Sequence, residues 1–300
     1  MAENTGMEKR KKKWGDRRDG YLVKQHGLQT VMGYLLPKRT ECECYLHDTF
    51  DITDLLAYID KKNAEHPEYK TTVFHCAIAG LARMVMERPK LNRFIQGWRT
   101  YERYDVSLSF VVKRRFTDGA DESLMVLTPG KDDTLDTISK KIVGDVRETR
   151  KSETATGGID EILNKFAAMP LPLIAFLIRI IRYLDFWGIN PKFLTDGDPN
   201  YTSILASNLG SIKCPAVYHH LNNYGTNSLM ITIGAYYQDE VRMPDGHKEM
   251  RTLLDIGATV DERIADGFYF ARSLKLIKHI FANPELLDKP LGEESGFQYE

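Results

Sequence analysis

The chain has 300 residues, 42% apolar and 10% aromatic, which is length enough for one large domain or two small ones around a sizeable core. Lys and Arg number 41 against 42 Asp and Glu, so a net charge of −1 provides no overall field toward nucleic acid or an anionic membrane. Cys42, Cys44, Cys76 and Cys214 are too few for a disulfide scaffold, and the C-x-C pair has no second pair at zinc-ligand spacing. Reduced thiols in a cytoplasmic protein, with no metal, are the expectation.

The one charge run, E-K-R-K-K-K at 8–13, is followed by Asp16, Arg17, Arg18 and Asp19. Residues 1–19 read as a solvated, disordered tail in preference to a phosphate-binding patch. No apolar stretch follows, so the run is not a secretory signal. T-E-C-E-C-Y-L-H-D-T-F at 40–50 alternates as a half-buried strand does. D-I-T-D-L-L-A-Y-I-D-K-K-N at 51–63 predicts a helix capped by Asp51 or Thr53, with Leu55, Leu56 and Ile59 on one face. The apolar centre of 71–88 stops at Pro89 and predicts a helix buried on most sides. S-L-S-F-V-V-K-R-R-F, T-D-G-A-D and S-L-M-V-L-T-P then spell a β-hairpin, and an amphipathic helix follows over 133–150.

Residues 166–189 form the most hydrophobic stretch, interrupted by Pro170, Pro172, Arg179, Arg182 and Asp185. Its clean run is far short of the ~20 residues that a spanning helix needs. A helix packed on the core or on another subunit is preferred over membrane contact or an oily substrate channel. I-L-A-S-N-L-G-S-I at 204–212 predicts a strand entering a tight loop. Strands at 228–241 and 249–260 are joined by the turn Pro-Asp-Gly-His, and Phe268–Phe281 has helical spacing up to Asn283-Pro284. Helices interleaved with hairpins predict one α/β (α+β) domain with a mixed sheet over 20–290, followed by a C-terminal tail at 291–300.

The closing stretch L-L-D-I-G-A-T-V-D-E-R-I-A-D-G-F-Y-F resembles the end of the acyltransferase catalytic domain of 2-oxoacid dehydrogenase complexes, whose fold chloramphenicol acetyltransferase shares. In those proteins the last strand ends in His-x-x-x-Asp-Gly before a helix. A-S-N-L-G-S at 206–211, the helix at 51–63 and R-P-K-L-N-R-F-I-Q-G-W-R-T-Y-E-R-Y-D-V-S-L-S-F-V-V at 88–112 match in the same order. The resemblance implies a chloramphenicol acetyltransferase-like mixed β-sheet flanked by helices, assembled as a homotrimer with active sites between subunits. It also implies transfer of an acyl group from acyl-CoA to a hydroxyl, amine or thiol acceptor. The lipoyl and peripheral-subunit-binding modules are not seen, so a free-standing trimer is expected.

Carried over residue by residue, Ser207 matches the serine that donates to the tetrahedral oxyanion, and Ser211 is a weaker second candidate. For Ser207 and Asn208 the plain alternative is a turn at a strand end. Asp266 and Gly267 match the motif Asp-Gly, in which Asp caps the helix and Gly permits its tight start. Glu262 stands where the motif histidine belongs. A free imidazole titrates near ~6.5 and a free carboxyl near ~4.3, so glutamate is the weaker base by about 3 kcal/mol. Arg263 is the adjacent cation, and a carboxylate paired with an arginine at a subunit boundary is the competing reading of Glu262.

His219 and His220 are substitute candidates for the base, although one ring out and one packed on a strand is the preferred reading. His75 within the apolar helix reads as a satisfied core or interface histidine in preference to a base, and His47 and His247 as strand-surface and turn residues. Two functions stay open. One is a CoA-dependent acyltransferase with a substituted base. The other is a catalytically inactive trimer that binds or scaffolds.

Overall fold

The computed structural model describes residues 11–66, 69–113, 122–151 and 168–299. Its main sheet has six strands in the order β2-β9-β8-β7-β5-β6: β2 Glu43–Asp51, β5 Leu108–Lys113, β6 Glu122–Leu127, β7 Ile204–Asn208, β8 Leu229–Arg242 and β9 Lys248–Asp261. Strand β7 runs parallel to β5 and β8, while β2–β9, β8–β9 and β5–β6 are antiparallel, so the sheet is mixed as expected. The residues predicted to turn the β5–β6 hairpin, 117–121, lie outside the described ones. A separate antiparallel sheet, β1 Gly20–Leu22, β4 Arg99–Arg103 and β3 Arg93–Gln96, has no counterpart among the predicted strands.

Helices α2 Thr53–Glu65, α3 Val73–Glu87 and α7 Gly267–Ala282 pack together on one face of the main sheet. The N-cap of α2 is Ile52 and not Asp51 or Thr53, although the Asp51 carboxylate, one residue earlier, accepts from the backbone N–H and the hydroxyl of Thr53. Thr72 caps α3 by accepting from the His75 backbone N–H at 3.4 Å. Small residues let α3 lie close to α7: a Cβ on Gly80 would stand 2.9 Å from Ile277 and 3.1 Å from Phe281.

Both stretches expected as tails are packed at their inner parts. Arg17 is 2% exposed, pairs with Asp19 at 2.9 Å and Asp185 at 2.8 Å, and faces the rings of Phe94 and Tyr101. A buried cation needs such partners, and two carboxylates meet that need. At the other end Leu291 and Ser295 are buried, Ser295 and Tyr299 donate to Glu87, and Arg83 donates to the carbonyls of Leu286 and Glu293.

The hydrophobic stretch forms a helix over Leu171–Phe186, here α5, following α1 Leu28–Leu35 and α4 Leu135–Lys151 and preceding the short α6 Lys192–Thr195. The core-packing alternative fails for α5, because Asp185 is its one buried residue. The helix is held at its C-terminal root, where Arg17 and Gln96 donate to the Asp185 carboxylate and the rings of Trp98 and Phe186 meet at 4.9 Å. Among the described residues no helix is long and apolar enough to cross a membrane.

Candidate functional site

Strand β7 is central in the sheet, and its alternation sorts the residues of the serine loop. Ile204 and Ala206 point into the core, while Leu205 and Ser207 point to the opposite face. After Ser207 the chain tightens into a single 3-10 turn, Leu209–Ile212. Asn208 caps this turn by accepting from the Ser211 N–H, and the Ser211 hydroxyl returns a bond of 2.8 Å to the Asn208 carbonyl. Gly210 sits against β8, where a Cβ would lie 2.6 Å from the Gly234 carbonyl oxygen. The loop geometry therefore depends on that glycine.

Ser207 lines a cavity of about 530 Å³ that also takes in Ser211, Phe74, His75, Val146 and His219. His75, expected as a satisfied core or interface histidine, is 6% exposed, but its Nδ1 has no hydrogen-bond partner. Burial pushes its pKa down to about 4, so the ring facing this cavity is neutral at physiological pH. Sequence reasoning passed over it because it lies in an unbroken apolar helix. The available signal was a polar side chain in the first turn of that helix, where a neighbouring strand end leaves space.

His219 reaches the same cavity and His220 does not. Both rings are exposed. Each Nδ1 is within hydrogen-bond distance of the following carbonyl, at 2.9 Å for His219 and 3.0 Å for His220. Their segment crosses the face of the sheet that the core helices leave open. The Thr232 hydroxyl donates to the Val217 carbonyl there, and a Cβ on Gly257 would meet that same carbonyl at 2.7 Å.

Glu262 lies at the other end of the sheet. The register runs Ser207 to Thr232 to Gly257, and Glu262 follows Gly257 along β9 in the direction opposite to β7. With ~3.3 Å per residue and ~4.8 Å per strand, the two groups stand on the order of 19 Å apart within one chain. One protomer cannot bring them together. Glu262 is exposed, and its backbone N–H donates to the Cys42 carbonyl at 3.0 Å.

Arg263 is not the cation beside it. This side chain turns inward, pairs bidentately with Asp261 at 2.8 and 2.6 Å, and donates to the Leu36 carbonyl. Both members of that pair are buried, so the arginine offsets the Asp261 charge and leaves Glu262 to solvent.

Asp266 caps α7, accepting from the Tyr269 N–H at 2.8 Å. Gly267 has open space where a Cβ would go and no left-handed φ, so the tight start expected to need glycine is absent.

A second cavity of about 290 Å³ opens near this end, between the Arg39 segment and the root of α5. Lys38, Arg39, Arg182 and Arg263 line it against one acid, Asp185. Arg39 is buried with its Nε unpaired, and burial, opposed by Asp261, pushes its pKa down to about 10, so it stays charged. Among the described residues no group of His, Cys, Asp and Glu is placed to hold a metal ion.

No protein-family model matches the chain, and no curated protein sequence matches it. Solved structures do. A probable dihydrolipoamide acetyltransferase from Listeria monocytogenes matches 95% of this chain and 99% of its own at 15% identity, with a TM-score of 0.57. A dihydrolipoamide acetyltransferase of Azotobacter vinelandii, studied for the role of a serine, a histidine and an asparagine in its catalytic mechanism, matches 88% of this chain and 93% of its own at 14% identity and TM-score 0.58. A chloramphenicol acetyltransferase matches 87% and 99% at 11% identity and TM-score 0.51. The chain has the fold of these acyltransferases.

Proposed function

We propose that this protein is a CoA-dependent acyltransferase that works as a homotrimer, with each site formed where Ser207 of one protomer meets Glu262 of the next. The observation that carries this reading is the placement of the two groups. Ser207 opens into a cavity at one end of the sheet, and an exposed carboxylate stands at the opposite end. A rotation about a three-fold axis joins unlike ends and closes the ring. The spacing supports the assignment. In the Azotobacter protein the serine precedes a histidine and an asparagine spaced i, i+4, and here Ser207 precedes Glu262 and Asp266, spaced likewise.

In this reading Glu262 removes the proton from the acceptor hydroxyl, amine or thiol as that atom attacks the thioester carbonyl of acyl-CoA. The Ser207 hydroxyl donates to the resulting oxyanion, which collapses to expel the CoA thiolate. The thiolate recovers a proton from the Glu262 carboxyl, so the base is regenerated. The product is the acylated acceptor plus free coenzyme A. A hydroxyl donor placed on an oxyanion is worth ~3 kcal/mol, and Ser207→Ala lowers kcat by about 100-fold. His219, at the same cavity as Ser207, is the substitute base; His220 is the more remote candidate.

The test is release of free thiol from acetyl-CoA across a panel of alcohols, amines and thiols, with Glu262→Gln alongside. Turnover that survives Glu262→Gln and disappears in His219→Gln moves the base to the histidine. The second reading, a non-catalytic trimer, is favoured by the carboxylate at the motif histidine's position. It stands if no acceptor yields thiol, and it predicts that Glu262→Ala alters assembly alone.

A further inference from the structure

The surface that the catalytic reading leaves unexplained is built by α5 and α1. Along α5, Leu173, Phe176, Ile180, Tyr183 and Trp187 recur at helical spacing and are all exposed, Phe176 to 59% and Tyr183 to 64%. Ile174, Leu177, Ile181 and Leu184, on the adjoining side about 110° round the axis, are half-buried. The helix is therefore apolar on both sides, although only one side is covered. Beyond its root, the rings of Trp187, Phe186, Trp98 and Tyr34 follow one another at 5.4, 4.9 and 5.2 Å, which carries the apolar surface across to α1. There Leu28, Val31, Tyr34 and Leu35 are exposed as well. A contiguous apolar surface of this kind marks an interaction site.

We infer that this surface docks the protein onto one leaflet of a phospholipid bilayer. Three observations select lipid over a protein face. From Leu171 to Ile178 no residue is polar, and the exposed ones lie at many angles about the axis, Leu171 at 81% included. A flat protein partner covers one side of a helix, whereas hydrocarbon covers every side it meets. Charge then changes along the axis in the order of a leaflet. After ~12 Å of apolar helix, close to the depth of half a ~30 Å hydrocarbon core, come Arg179 and Arg182, then Tyr183 and Trp187. Long cationic stems reach phosphate level, and amphipathic rings favour the interface. The third observation is the cavity at the root of α5, lined by four cations, of which Arg263 is paired with Asp261 and Lys38 with Glu41, so that Arg39 and Arg182 provide its positive charge. It suits the phosphate of a lipid headgroup. The helix is too short to span, so attachment is to one leaflet.

The inference does not depend on acyl transfer. It is tested by floating the full chain with vesicles of phosphatidylcholine, and of phosphatidylcholine mixed with phosphatidylserine, while its mass and melting are measured without lipid. The wild type floats, more strongly with phosphatidylserine. Leu173→Glu with Phe176→Glu lowers the floated fraction at least ~10-fold while mass and melting stay unchanged, because both side chains are exposed. Arg179→Glu with Arg182→Glu removes the preference for phosphatidylserine. Wild type that does not float with either vesicle overturns the inference. So does flotation that survives the Glu pair at 173 and 176. If that pair instead lowers the oligomeric mass, a second copy of the chain covers α5, and the lipid assignment fails.

Discussion

Helices α3 and α5 have almost the same length and the same apolar character, yet α3 is buried from His75 to Val85 while Asp185 is the one buried residue of α5. The difference lies in side-chain size and position. Ala77, Ala79, Gly80 and Ala82 thin the waist of α3, so that α7 approaches one side and the sheet the other. Helix α5 carries bulky Leu, Ile and Phe at nearly every turn, with prolines at its start; its polar anchors lie at its root, and only one side is partly covered. Hydrophobicity makes burial favourable, but only a surface that fits the helix can provide it.

The comparison can be broken at the α5 root first. Asp185→Ala leaves Arg17 with one carboxylate and Gln96 without its acceptor, and is expected to cost about 4 kcal/mol in chemical denaturation. Next, Gly80→Leu forces a bulky side chain between α3 and α7. A loss of about 3 kcal/mol is expected, read as a lower midpoint at unchanged slope.

The His75 contribution depends on pH. Its folded pKa of about 4 lies below the ~6.5 of a free imidazole, so between these values the unfolded chain binds the extra proton. Stability therefore rises with pH across that window, and about 3 kcal/mol is lost on going from pH 7 down to pH 4. Denaturation of His75→Phe over the same range should lack this part of the slope. The smallest effect belongs to Phe176→Ser on the outward side of α5, within about 0.5 kcal/mol. A loss above 2 kcal/mol there would mean that α5 is covered after all.

The elements around the core were legible because their signals are local. Asp51 before α2, Pro89 after α3, Asp266 before α7 and the Pro-Asp-Gly-His turn between β8 and β9 each act within a few residues. The small sheet of β1, β4 and β3 was not, because short strands pairing over a long separation leave little periodicity. Of the candidate site, Ser207 and His219 share a cavity, and Glu262 lies at the far end of the sheet. The motif could mark Glu262 but not where Arg263 would turn. Arg263 chose Asp261, because a buried carboxylate binds a cation far more strongly than an exposed one does.

By itself the order of residues determined the caps, the turns, the alternation of the sheet and the glutamate in place of the motif histidine. Only the tertiary structure decided that Arg17 is interior, that His75 faces the serine cavity, and that α5 keeps its apolar side to the outside. Local patterns state what each segment can bury. Whether it is buried depends on space left by residues far away in the chain, and no single segment records that space.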